Sequence, residues 1–229
     1  MNSDYRYEIK FVLNSVKLSD AMEWLYTSTT AKMAYENRIV NSIYFDDIGF
    51  SSVRDNLTGI SQRSKFRLRW YENENKECLA FEAKIKNGRL SRKEIYPINL
   101  SKDNLMDLSV GDIASKCIKD LEMNNVIFDD YMAPTLKVSY EREYYETYNG
   151  IRITIDQHIN FSDVYSHSML AEEKPIHYPY NVMELKFSPS MKKEVSKLIQ
   201  PLHITPTRHS KYLVCLLYTS PSPRDRTRS

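Results

Sequence analysis

Apolar and polar positions alternate with a period of two through most of this chain, which predicts strands with one apolar and one polar face. Over residues 5–13, Arg6, Glu8 and Lys10 fall on one face, with Tyr7, Ile9, Phe11 and Leu13 on the other. Residues 65–71 set Lys65, Arg67 and Arg69 against Phe66, Leu68 and Trp70. Residues 79–86 set Glu82, Lys84 and Lys86 against Leu79, Phe81, Ala83 and Ile85. Asn87-Gly88 is a tight-turn pair leading into a strand at 89–98. Strands at 39–46, 135–145, 151–156 and 182–187 bring the number to about eight, which suits a closed antiparallel β-barrel.

Helical periodicity interrupts this pattern in three places. Ser19 is positioned to cap a helix over 20–34. Ser101 can cap another over 102–122, whose apolar stripe is Leu105, Leu108, Ile113, Cys117, Ile118 and Leu121, with Gly111 as a break point. Ser190 can cap a short third helix that Pro201 ends. The expected fold is α+β: one barrel domain over residues 1–214 with flanking helices.

Composition adds limits. At 41% hydrophobic and 12% aromatic, with 17 Tyr, the chain can build a core and favours strands. Residues 215–229 show neither periodicity and read as a Pro/Ser/Arg tail that does not pack; they also resemble translated adapter read-through. Setting aside Arg224, Arg226, Arg228 and Asp225 takes 32 basic and 30 acidic residues to 29 of each. Net charge therefore gives no support for a nucleic-acid partner, and any basic site must come from local arrangement. Cys78, Cys117 and Cys215 lack metal-ligand spacing and cannot all pair, which indicates a reducing compartment. The N-terminus lacks the order of a signal peptide, and no apolar run nears the ~20 residues of a membrane-spanning helix. A cytoplasmic location without a membrane segment is expected. The five histidines never form a zinc spacing.

The charged faces carry the candidate chemistry. Taken alone, each reads as a solvated sheet face laced with cross-strand ion pairs. Two features point further. Glu-x-Lys recurs on three strands, as Glu8/Lys10, Glu82/Lys84 and Glu184/Lys186. Lys65, Arg67 and Arg69 share one face and repel one another unless an anion lies opposite. In a closed barrel these faces would line a lumen, where cations neutralise phosphate oxygens and carboxylates hold Mg²⁺ or Mn²⁺.

The ordered succession Tyr7-Glu8-Ile9-Lys10-Phe11, Ser42-Ile43-Tyr44-Phe45-Asp46, Lys65-Phe66-Arg67-Leu68-Arg69-Trp70-Tyr71, Phe81-Glu82-Ala83-Lys84, Val138-Ser139-Tyr140-Glu141-Arg142, Arg152-Ile153-Thr154-Ile155-Asp156, Met183-Glu184-Leu185-Lys186 and Ser210-Lys211-Tyr212 resembles the VTC domain. That domain is the polyphosphate polymerase module of the triphosphate tunnel metalloenzyme (CYTH-like) superfamily. The resemblance spans residues 5 to 213. It implies a tunnel that binds ATP and moves its γ-phosphoryl onto inorganic polyphosphate with Mn²⁺ or Mg²⁺. The matching catalytic cations are Lys10, Arg67, Arg69, Lys84, Arg142, Arg152 and Lys211. Tyr140 and Ser210 match neighbouring tunnel-lining positions and Glu184 the metal-binding glutamate; Lys65 and Lys186, on the same charged faces, are further substrate-binding candidates, and Glu8 a second metal-binding candidate. Arg92-Lys93 falls where the family has one further lysine; the register favours Arg92, though either could face inward. Glu94 replaces a basic residue common in bacterial relatives, implying a less positive tunnel there. Arg6 stands where hydrolytic tunnel enzymes carry the first glutamate of Glu-x-Glu-x-Lys, which favours the polymerase branch. A triphosphatase or polyphosphate hydrolase, and a non-catalytic polyphosphate-binding module, remain the alternatives. A membrane-protein partner, as in eukaryotic relatives, is left open.

Overall fold

The structure is a computed structural model that describes residues 5–72, 79–101, 105–124, 126, 131–172 and 174–219. Its chain runs β1 (Arg6–Leu13), α1 (Ser15–Ser28), β2 (Lys32–Asp46), α2 (Ser51–Thr58), β3 (Gln62–Tyr71), β4 (Ala80–Asn87) and β5 (Leu90–Pro97). It continues through α3 (Val110–Met123), β6 (Ala133–Glu146), β7 (Arg152–Asp163), β8 (Ile176–His177), β9 (Asn181–Phe187), α4 (Lys192–Leu198) and α5 (Lys211–Thr219). Eight strands pair in the order β6-β2-β3-β4-β5-β1-β9-β7, and β7 returns to β6, so the sheet closes into a ring. Every pairing is antiparallel. The expected closed antiparallel barrel is present, with the two-residue β8 added beside the C-terminal half of β7.

The ring turns its apolar faces outward. Leu68, Trp70, Leu79, Phe81, Ile43 and Phe45 pack under α3 through Ile113, Cys117 and Leu121. Phe11, Leu13, Ile153, Ile155, Met183 and Leu185 pack under α1 through Ala21, Trp24 and Leu25. A third cluster joins Tyr44, Leu136, Val138, Tyr140, Ile159 and Phe161 to Tyr212 and Cys215 of α5, filling one end of the ring. Two of the main apolar clusters thus lie outside the barrel wall, leaving its inner face for polar side chains.

The seams of the ring are unequal. β1 pairs with β9 over seven residues, from Tyr7↔Phe187 to Leu13↔Asn181. It meets β5 only at Arg6↔Ser91 and Tyr7↔Leu90. Beyond that short contact the backbone of Thr207 donates to the Lys10 carbonyl at 2.8 Å, so the segment leading into α5 takes up a group the ladder leaves unpaired.

Several boundaries differ from expectation. α1 starts at Ser15 rather than after Ser19 because Asn14 provides the cap, accepting from Lys17 N at 2.9 Å. The expected 20–34 helix ends early, and β2 begins at Lys32, well before residue 39. The helix expected over 102–122 is capped by Ser109, whose Oγ accepts from Asp112 N; residues 102–104 lie outside the described residues. Gly111 is no break: it sits in the first turn of α3, where an added Cβ would meet Ser166 O at 2.8 Å. In the third helix, Ser190 lies in a 3-10 turn (Pro189–Met191) ahead of α4, and Pro201 lies in a second such turn after it. Gly88 takes φ 59°, the left-handed conformation its turn between β4 and β5 requires. Finally, α5 crosses the expected boundary at Val214. Cys215 is fully buried against the barrel end, so packing extends past the point where sequence periodicity was lost.

Candidate functional site

The inner faces of the strands assemble the site. On β3, Lys65, Arg67 and Arg69 point into the ring because the alternate residues Phe66, Leu68 and Trp70 are held outside by α3. Glu82 on β4 gathers three cations. Arg67 donates from Nε at 2.7 Å and Nη2 lies 2.6 Å away, Lys93 donates at 2.8 Å, and Arg69 Nη1 lies at 3.7 Å. Arg69 also donates to Tyr140 Oη at 2.9 Å and to Ser42 Oγ at 3.2 Å. Arg67 reaches Tyr44 Oη at 3.3 Å. Burial opposes ionisation of Glu82, but these cations outweigh it and hold the carboxyl well below the usual range.

A second group forms around β1 and β9. Glu8 accepts from Lys84 at 2.6 Å and from Ser91 Oγ at 3.0 Å. Lys10 and Lys186 flank Glu184 at 3.6 and 3.5 Å. Burial and Glu184 both raise the Glu8 pKa, yet Lys84, Lys10 and Lys186 outweigh them and leave it lowered. Burial likewise works against the Glu184 carboxylate, and the lysines still hold its pKa well down. The lysines respond differently. Burial brings Lys84 down to about 8 despite its contact with Glu8, and burial together with Lys10 and Lys84 brings Lys65 to about 7. For Lys10, burial is outweighed by Glu184 and Glu8, and the pKa rises.

A third group lies toward α5. Arg142 makes a bidentate pair with Asp156 at 2.5 and 2.8 Å, and Lys211 donates to the same carboxylate. Lys65 donates to Ser210 Oγ at 2.6 Å, so the start of α5 joins the lumen. His209 is neutral in this setting: burial pushes its pKa to about 3, and its Nε2 has no hydrogen-bond partner.

Of the residues singled out from sequence, Lys10, Arg67, Arg69, Lys84, Arg142, Lys211, Tyr140, Ser210, Lys65, Lys186, Glu184 and Glu8 come together within this lumen. Arg152 shares the inward register but lies at the rim, with a half-exposed side chain 3.5 Å from Glu146. Arg92 does not face inward. It pairs with Glu94 at 2.6 Å on the outer face, while Ser91 and Lys93 on the alternate positions reach Glu8 and Glu82. The inward residue of the pair is Lys93, and Glu94 leaves the lumen charge untouched. Sequence reasoning passed over Glu82, Asp156 and Tyr44 as site residues. Their spacing on the cationic faces of β4, β7 and β2 was the available signal.

Among the described residues, nine cations in this lumen (Lys10, Lys65, Arg67, Arg69, Lys84, Lys93, Arg142, Lys186 and Lys211) face four carboxylates, Glu8, Glu82, Asp156 and Glu184. A closed ring of antiparallel strands around such a lumen is a tunnel-like α+β fold with a cationic interior. The family model of the VTC domain matches residues 5–219, and the chain belongs to that family. Solved structures show the same fold at low identity. A Hippeastrum adenylyl cyclase candidate, described as having a dominant triphosphatase activity, aligns with a TM-score of 0.52 at 11% identity over 96% of this chain and 97% of its own. Protein PH1819 of Pyrococcus horikoshii aligns at 0.51 and 15% identity, covering 94% and 99%. A Vibrio parahaemolyticus adenylate cyclase candidate aligns at 0.50 and 11%, covering 92% and 98%. The comparison with curated proteins gives no match.

Proposed function

We propose that the chain is a polyphosphate polymerase that transfers the γ-phosphoryl group of ATP to the end of a polyphosphate chain inside the barrel. The observation that carries this reading is the excess of cations over carboxylates in a buried lumen. Burial strengthens their mutual repulsion, and a phosphate chain is an anion that relieves it along the whole length of the ring. Arg67 and Arg69 are held by Glu82 and the tyrosines, while Arg142 and Lys211 are held by Asp156. These cations are therefore positioned before substrate arrives, which is what stabilisation of charge on transferring and leaving phosphates requires. The acceptor is a terminal phosphate oxygen that is already ionised, so the reaction needs no protein base.

A divalent cation fits the Glu8 and Glu184 pair. Glu184 Oε1 is buried and accepts no hydrogen bond, with Lys10 Nζ 3.6 Å away, so it keeps acceptor capacity for Mg²⁺ or Mn²⁺. Among the described residues no group of three His, Cys, Asp or Glu forms a complete cage. An ion here would therefore be held by one or two carboxylates plus substrate oxygens. Such an ion would neutralise charge on the triphosphate. Arg6, at the exposed start of β1, adds no third carboxylate, and this favours transfer to phosphate over transfer to water.

The test is incubation of the protein with ATP and Mn²⁺, with pyrophosphate as primer. A ladder of phosphate chains is expected. Orthophosphate alone would assign a hydrolase, and binding without turnover a polyphosphate-binding module; either outcome overturns the polymerase reading.

A further inference from the structure

From the buried lumen to the rim away from α5, arginine and tyrosine alternate in an unbroken series. Arg69 donates to Tyr140 Oη at 2.9 Å. Arg142 lies 5.1 Å from the Tyr140 ring centre and 6.0 Å from that of Tyr144. Arg38 lies over Tyr144 at 5.6 Å and over Tyr35 at 5.3 Å. The inner members are buried, whereas Tyr35 is 54% exposed. Tyr35 meets Tyr144 edge to face at 87°, with ring centres 5.7 Å apart.

The backbone is shaped to this end. Tyr35 pairs with Tyr144 and Arg38 with Arg142, but the β2–β6 register shifts on both sides of Tyr35. Such irregularities re-aim side chains. Tyr35 lies three residues beyond Arg38 on β2 but opposite Tyr144, two residues from Arg142 on β6, so the advance is roughly 7 Å at ~3.3 Å per residue. A nucleotide whose phosphates reach Arg142 and whose nucleoside points to this rim would bring its base near Tyr35.

We infer that Tyr35, backed by Arg38, forms a stacking platform for the purine of the nucleoside triphosphate, so that the rim selects a nucleotide over a bare phosphate chain. The inference rests on the polymerase reading for its substrate. An aromatic ring bearing a cation suits a π-face better than a phosphate, which the lumen already accommodates. The platform binds the base by stacking rather than by reading its edges, so it discriminates nucleotide from inorganic triphosphate more than one base from another.

Calorimetry on the full chain with ATP and with inorganic tripolyphosphate tests this. Tyr35→Ala is expected to weaken ATP binding about tenfold, within the range of one lost base stack. Tripolyphosphate affinity is expected to stay unchanged, and Tyr35→Phe to retain ATP affinity. Equal weakening of both ligands, or of neither, overturns the platform. So does equal wild-type affinity for the two. Loss of the polymerase reading is distinguishable: a wild-type protein that prefers ATP without making chains keeps the platform and removes the transferase.

Discussion

Arg67 and Leu68 are neighbours in one strand and meet opposite worlds. Leu68 is fully buried among Trp70, Phe81 and the helix α3, outside the ring. Arg67 points inside and shares Glu82 with Arg69 and Lys93. In an ordinary half-buried sheet the charged face meets bulk water. Here it meets other charges at close range, and the apolar face provides the packing that holds them there. The outer face supplies stability and the inner face carries the candidate site, on alternate residues of the same strands. The two can therefore be perturbed separately.

The largest expected effect lies on the outer face. Leu68→Ala removes a fully buried side chain and should destabilise by about 2–5 kcal/mol, read as a shifted urea midpoint. Polyphosphate affinity of the folded fraction should survive, and loss of that affinity in still-folded protein would break the separation. On the inner face, Arg67→Ala should lower turnover per folded molecule by about 10²–10³-fold, as for removal of a donor aimed at transition-state charge, and should also lower the melting midpoint, since the buried Glu82 carboxylate keeps only Lys93 and the more distant Arg69. Wild-type turnover in this variant would remove Arg67 from the site.

A smaller effect is expected from pH. Lys65 and Lys84 have pKa values depressed to about 7 and about 8. Between those values and the ordinary lysine range the unfolded chain binds more protons, so the ligand-free protein should gain stability as pH rises from about 7 toward 10. Anion affinity should move the other way, falling as the two lysines lose charge above pH 7. Tripolyphosphate titrations at pH 7 and pH 9, in buffers of differing ionisation enthalpy, should show weaker binding at the higher pH and proton uptake on binding. The smallest contrast is also the finest. Lys93→Ala should reduce tripolyphosphate affinity, whereas Arg92→Ala, which breaks an exposed pair with Glu94, should leave affinity unchanged and cost at most about 1 kcal/mol.

Much of this was legible because strand alternation is a local property. The partition of Arg67 and Arg69 from Leu68, and of Glu184 and Lys186 from Leu185, follows from the period of two. The ring itself followed from the number of strands. The Arg92 and Lys93 assignment was not legible, since which parity faces inward on β5 is fixed by its register with β4 and by Glu82 across the lumen. Helix starts were misplaced where several cap residues competed, with Asn14 and Ser109 prevailing over Ser19 and Ser101. The role of Asp156 depended on Lys211, which approaches through a helix whose packing comes from Tyr212 and Cys215. No pattern within residues 211–219 announces that long-range contact.

The unequal seams have a consequence for how the domain is made. Of the strands of the ring β1 is the first to leave the ribosome, yet its seven-residue partner β9 lies some distance past every other strand of the ring. Until residue 187 has emerged, β1 can pair only over its two-residue contact with β5, and most of its edge stays unmatched. An open strand edge is a template for pairing with other chains. Synthesis from the N-terminus thus leaves this domain with a long exposed interval before the last strand arrives, and closure of the ring is among its latest folding events.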